Sequence, residues 1–506
     1  MRRRAYTCCF PLLLCAALAQ ADVCQVTPTG APTAAWAGAM TLQAALGNAT
    51  CSEVWVMRGV YTPGTSQNDS FDVRPGVAVY GGFAGTEASR DDRDPAANVT
   101  VLSGDIAGDD ANTDGNSIDE TSADIVGDNS VHVVTMNGAA GTPVVASTVL
   151  DGVTITGGDA DGDIGRGGGL YCDGTYAGSE CSPTIRNTVF SGNRAANGGA
   201  LYDMALFGGT SSPRLDHVRF LGNHATGSGG AVYNQGQQGT SSPDLVDVVF
   251  AFNQADGYGG ALFDFGGEGL SSPTLRRVLF RGNTAGISAG AMYNQGSGGE
   301  SSPVLTNVTF SGNSSGYSGG ALINNGSYGG ISSPTLSFVT FTANSTGSGG
   351  GTAMTNNGLS GISLPRLGNV ILWGDTSTDS FDAEIYNNVA TPSIDHSIVR
   401  DSGGSGTGWD AAFGSDGGGN LDADPMLYAL ADNGGFSLTH AIPQDSPARN
   451  AGDPGFASPP GPGSDQRGSG YSRAVGGTVD IGAFESQGPS DGDIIFHNGF
   501  DPPGSP

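Results

Sequence analysis

Asp203 and Asp264 are the two acids whose placement first invites a catalytic reading. They hold matching positions in a repeated pattern, with Asn234 at the copy between them. If the copies stack as strands about 4.8 Å apart, two steps separate the carboxyls by about 10 Å. Inverting glycoside hydrolysis uses a similar gap, with one acid protonating the leaving oxygen and the other activating water. Asn294 and Asn324 continue the same column, however, and a ladder of polar side chains bonded along the stack accounts for all five residues without catalysis. The repeat arginines Arg194, Arg214, Arg219, Arg276, Arg277 and Arg281 scatter over different columns, and only Arg276, Arg277 and Arg281 stand close in sequence. Arginine stays protonated unless strongly perturbed, so it is a poor default base. The chain has no lysine, and His132, His217, His224, His396, His440 and His497 share no motif. No residue is assigned a catalytic role on these grounds.

Two other groups carry possible chemistry. Asp110, Asn112, Asp114 and Asn116 copy the first half of an EF-hand loop, with oxygen ligands at alternate positions and Gly115 at the bend. Calcium is the cofactor this spacing would take. Position twelve is Thr121 rather than Glu, and a solvated acidic loop is the plainer reading. Asp159, Asp161 and Asp163 echo the pattern more weakly. Cys24, Cys51, Cys172 and Cys181 follow the leader-like N-terminus. Three pairings are open to them, of which Cys24–Cys51 with Cys172–Cys181 is the most local. Their spacings fit no zinc finger.

The elements that must position these groups come from a repeat of 30 or 31 residues. Ser-Pro recurs at Ser182-Pro183, Ser212-Pro213, Ser242-Pro243, Ser272-Pro273, Ser302-Pro303 and Ser333-Pro334. Each copy then carries Val-x-Phe, as in Val218-x-Phe220 and Val278-x-Phe280, with Asn three residues after the Phe and a Gly-rich run. Apolar period two means strands, and a fixed period of this length means a solenoid. The sequence therefore predicts an all-β chain forming a single right-handed parallel β-helix from about Val54 to Val399. Val248, Phe250, Val278, Phe280, Val308 and Phe310 point inside, and the residues after each Phe (Ser191, Leu221, Ala251, Arg281, Ser311, Thr342) stand exposed. The Asn column, Asn193 to Asn344, is expected at a left-handed bend with amides bonded along the stack.

The pairing of Phe-x-x-Asn with Gly-Gly-Ala-Leu/Val, at Gly198–Leu201, Gly229–Val232, Gly259–Leu262 and Gly319–Leu322, resembles the repeats of polymorphic outer membrane proteins, bacterial surface β-helices of which some are adhesins. Asn420 to Pro425, Ser446-Pro447-Ala448, Asn450-Ala451-Gly452 and Asp480 to Glu485 resemble the C-terminal module of proteins called choice-of-anchor Q. The resemblance implies a pectin lyase-like fold and display at a cell surface. No train of amphipathic strands follows the repeats, so the chain does not build its own barrel in a membrane.

Composition agrees. There are 86 glycines among 506 residues, and 20 basic residues face 49 acidic ones, for a net charge of −29. That balance argues against a nucleic-acid partner. Arg2-Arg3-Arg4, the apolar run Phe10 to Ala19 and Ala19-Gln20-Ala21 read as a secretory signal, leaving no membrane span after cleavage. The expected layout is a signal peptide (1–21), an N-terminal cap (22–62), irregular turns with the acidic loop (63–180), regular repeats (181–400), a cap on the lower end of the helix (401–486) and a flexible tail (487–506). The expected function is a secreted or outer-membrane-associated adhesion or display scaffold of a Gram-negative bacterium, with a polysaccharide or a surface protein as partner. The alternative is a polysaccharide lyase or glycoside hydrolase.

Overall fold

The computed structural model describes residues 22–162, 165–379, 382–455 and 463–488. The expected signal peptide, Asp163 and nearly all of the tail lie outside these residues. The chain winds a right-handed parallel β-helix of about twelve turns, its strands gathered into sheets of 18, 8 and 10 strands. Sheet 1 holds the long strands such as Asp244–Ala251. Sheet 2 holds strands such as Leu262–Phe265, and sheet 3 two-residue strands such as Gln254–Ala255.

Alternation and backbone conformation together explain how one strand of sheet 1 fills the interior. Val248 and Phe250 point inward by period two, both at 0% exposure. Leu245 also points inward although it precedes Val248 by an odd step. Asp247 makes this possible by taking φ +53°, and His217, Arg277, Asn307 and Phe338 repeat the bend at φ +56° to +57°. In register, Phe190, Phe220, Phe250, Phe280, Phe310 and Phe341 then stack with ring centres 5.0 Å to 4.6 Å apart. Each buried ring contributes roughly 2–3 kcal/mol.

The Asn column runs beside it. The Nδ2 of Asn193, Asn223, Asn253, Asn283 and Asn313 each donates to Oδ1 of the next Asn at 2.8–3.0 Å. Asn344 donates to Asp375 Oδ1 at 2.8 Å, which ends the ladder. The left-handed residue is not the Asn but the one before it: Gly192, Gly222, Phe252, Gly282, Gly312 and Ala343, at φ +58° to +65°. The Asn serves as the interior bridge, and its neighbour makes the turn.

Both ends depart from the expected boundaries. Val23–Val26 already pairs in parallel with Glu53–Met57, so the β-helix begins one rung before Val54. The short helix Leu42–Gly47, capped by the Thr41 side chain, lies between these strands with Leu42, Ala45 and Leu46 against the core. At the lower end, only the first part of the C-terminal module acts as a cap. Trp409 and Phe413 pack against the core cluster, and Asn387 donates to the carbonyls of Ala412 and Phe413.

The rest of the module turns back and climbs the outer face of sheet 1. Ile371 and Ile398 pack with Ile442, Ile481 and Phe484. Higher up, Thr309 donates to Gln466 Oε1 at 2.6 Å, and Ser311 Oγ lies 2.9 Å from His440 Nε2. Val249, Ala251 and Leu279 meet Leu430, Phe436 and Leu438. Ala251 and Ser311, expected on an exposed column, are therefore buried; Ser191 is buried under the acidic loop, where its Oγ donates to the Asp119 carbonyl at 2.7 Å, and Leu221, Arg281 and Thr342 are half-buried. The run Asp480 to Glu485 is the docking key. Gly482, at φ +100°, comes so close to Ile371 that a Cβ would lie 2.7 Å from its Cδ1. The Ala483 N–H donates to Thr340, and Asp480 accepts from the N–H groups of Asn450 and Ser486.

Candidate functional site

Asp203 and Asp264 lie inside the solenoid at 0% exposure, in a polar column with Asn234, Asn294, Asn324 and Asn356. Asn234 donates to Asp264 Oδ1 at 2.7 Å, Asn294 to Asn324 at 2.8 Å and Asn324 to Asn356 at 2.8 Å. Burial raises both acids above the usual carboxylate range, Asp264 to about 8. Oδ2 of each acid and Oδ1 of Asn234 and Asn294 have no partner among the heavy-atom donors. A proton on each acid would supply the missing donor, from Asp203 to Asn234 and from Asp264 to Asn294, and the ladder would then run in one direction. Both acids are interior rungs of the column, closed to any substrate.

The Cys172–Cys181 disulfide belongs to the same column. Cys172 is in register with Asp203, and Cys181 takes the place that Ser211 takes one turn later. The bond thus stands where Ser211 Oγ approaches Asp203 Oδ1 at 3.5 Å. Cys24 and Cys51 are bonded across the first rung.

The acidic loop is arranged differently from its spacing. Asn112, Asp114 and Asn116 bond one another: Asn116 Nδ2 donates to Asp114 at 2.7 Å, and Asn112 Nδ2 donates to Asn116 at 3.3 Å. Asp110 turns away to accept from Val126 N–H at 2.6 Å and Asn129 Nδ2 at 2.7 Å. It shares a cluster with Asp105 and Asp109, whose oxygens approach within 4.8 Å of one another. Burial, with Asp110 close by, lifts Asp119 to about 8.

The three arginines close in sequence do not converge. Arg276 pairs with Asp244 at 2.8 Å, Arg277 grips Asp247 through two bonds of 2.6 Å and 2.7 Å, and Arg281 lies over the Phe252 ring.

A different set of cations gathers on the stretch of sheet 1 that the C-terminal module leaves open. Arg90, Arg93, Arg186, Arg219 and His217 line a cleft of about 700 Å³, with Asp91, Asp94 and Phe436 on its walls. Its floor is Asp151, at 0% exposure. Asp151 accepts from Arg93 Nη2 at 2.6 Å, Arg186 Nε at 2.6 Å and Asn187 Nδ2 at 2.9 Å. Arg219 sits 4.3 Å from the centre of the Phe436 ring and donates to its carbonyl at 3.4 Å. Burial lowers its pKa, and among the described residues no carboxylate forms an ion pair with it. Sequence reading missed this cleft because its residues come from an N-terminal loop, two adjacent turns and the distant C-terminal module. Even Arg186 and Arg219 stand in different columns of adjacent turns, Arg186 in register with Asp216 and Arg219 with Val189.

Residues 187–203 and 217–235 match the Chlamydia polymorphic membrane protein repeat, and they contain two of the Phe-x-x-Asn and Gly-Gly-Ala pairings. No curated protein matches the chain. Among solved structures it is similar to one described as the crystal structure of pectate lyase Pel9A, at 15% identity and a TM-score of 0.43, over 92% of this chain and 97% of that one. Among the described residues no helix is long and apolar enough to cross a membrane.

Proposed function

We propose that this protein is an exported, surface-exposed β-helix that binds or displays and does not turn over a substrate. The observation that carries the reading is the fate of the acids. Asp203 and Asp264 are sealed in the interior, and Asp151, the carboxylate at the floor of the open cleft, is saturated by Arg93, Arg186 and Asn187. Both of its oxygens are engaged by these groups, so it presents no free edge to a substrate. Surface location is supported by the signal-like Arg2 to Ala21 segment, by the match to the polymorphic membrane protein repeat and by the resemblance of 401–486 to the choice-of-anchor Q module. In this reading the β-helix is a rigid stem and the loops and cleft make the contacts.

The test has two parts. Protease added to intact cells should remove the protein from the surface while cytoplasmic markers survive. The purified chain from Asp22 onward, incubated with acidic and neutral polysaccharides with and without calcium, should release neither unsaturated nor reducing ends. Release of either would establish the enzyme reading instead.

A further inference from the structure

The cleft on the open stretch of sheet 1 has features of a built site. It is bounded by the 90–96 loop, by the turns that carry Arg186 and Arg219, and by Phe436 of the C-terminal module. The lining sets four arginines against Asp91, Asp94 and Asp151, a net excess of one positive charge in a chain of net charge −29. Two of the arginines keep donors in reserve. Arg186 spends only Nε on Asp151, and its side chain is 41% exposed. Among the described residues Arg219 has no carboxylate partner, and its guanidinium is fixed in place by the Phe436 ring and carbonyl. Such a planar, pre-positioned donor fork suits a carboxylate.

A second hollow of about 330 Å³ continues the cleft along the sheet, sharing Pro95, Ala96, Asn187 and Val189 and adding Val153 and Leu221. The floor is the face of a sheet, presenting side chains. It offers no row of free backbone N–H and C=O groups, so it lacks what an extended peptide needs for strand addition. Charged donors beside a shallow apolar strip instead match a sugar ring, with carboxylate and hydroxyl groups on its edge and C–H groups on its faces.

We propose that this cleft binds an acidic glycan, with uronate carboxylates on Arg186 and Arg219 and ring faces along Val189 and Leu221. The assignment rests on the binding reading above and names its ligand class. It is tested by titration calorimetry of the chain from Asp22 onward with a uronate tetrasaccharide, a neutral tetrasaccharide and tetraglutamate. The uronate should bind, and more weakly as salt is raised. Arg186→Gln and Arg219→Gln should each weaken it about tenfold or more, as expected for a lost charge-assisted bond. Arg281→Gln, outside the cleft, should leave it unchanged, and unaltered melting of the variants excludes unfolding as the cause. Absence of uronate binding, equal binding by the Arg186→Gln/Arg219→Gln double variant, or equal affinity for the neutral sugar would overturn the assignment. Preference for tetraglutamate would replace the glycan with a protein partner. Unsaturated product formed by wild type but not by the double variant would leave the cleft assigned and overturn the non-catalytic reading, so the two failures are told apart.

Discussion

The two faces of sheet 1 are made from the same strands but follow different rules. On the inner face every turn meets a copy of itself, so Phe stacks on Phe and Asn bonds Asn along the whole column. On the outer face successive turns carry Arg219, Val249, Leu279, Thr309, Thr340 and Ile371. Each of these meets a different part of a segment that does not repeat: Phe436, Leu438, Gln466, Ala483 or Ile481. A column is uniform where its partner is the next rung, and varied where its partner is another part of the chain.

The largest expected effect breaks the inner face. Phe280→Ala removes one ring from the stack and should lower stability by about 3–5 kcal/mol, read as a fall in the midpoint of denaturant unfolding. Leu279→Ala, one residue away and pointing outward, should cost about 2–4 kcal/mol, but at the seam. Protease should then cut faster within 425–455 while the far-ultraviolet β signal persists. Equal behaviour of the two variants in both assays would erase the distinction between the faces.

The pH dependence sharpens the inner ladder. Burial raises Asp264 from 3.8 to about 8. Its contribution to stability is therefore full below pH 3.8 and falls as pH rises from there through about 8, because the unfolded chain releases its proton first. Asp264→Asn supplies the missing donor at every pH. It should flatten that part of the profile and stabilise the protein at pH 8 by about 1–3 kcal/mol. A loss of stability at pH 8 would show that the acid is not a neutral rung. The smallest effect concerns the turn before the Asn. Ala343 holds φ +58° where most turns have Gly, so Ala343→Gly should gain up to about 1 kcal/mol by thermal unfolding.

What was readable in the sequence follows the same division. The Ser-Pro step, Val-x-Phe and the Asn column established the period, the parallel stack and the inward residues, because each depends only on its own repeat. Val249 and Leu279 were the outer-face signal, since apolar residues there imply a cover, but nothing in the repeat says which segment provides it. The sequence places the module at the lower end, a role that its first part fills, with Trp409 and Phe413 against the core and Ser415–Gly418 as the last strand. The column of Asp203 and Asp264 is legible from the repeat register, while the need for a proton on each shows only in the unpartnered oxygens of the folded chain. The arginine cleft joins residues from Arg90 to Phe436, a convergence that no local pattern encodes.

The central claim is that the outer face of sheet 1 between Val249 and Ile371 is covered by residues of the C-terminal module. Hydroxyl-radical footprinting of the intact chain reads this directly, residue by residue. Leu279 and Ile371, each 1% exposed, should be protected as well as Phe280 at 0%, while Tyr328 at 79% and Tyr317 at 56% are oxidised rapidly. Oxidation of Leu279 and Ile371 at rates near that of Tyr328, with Phe280 still protected, would contradict it.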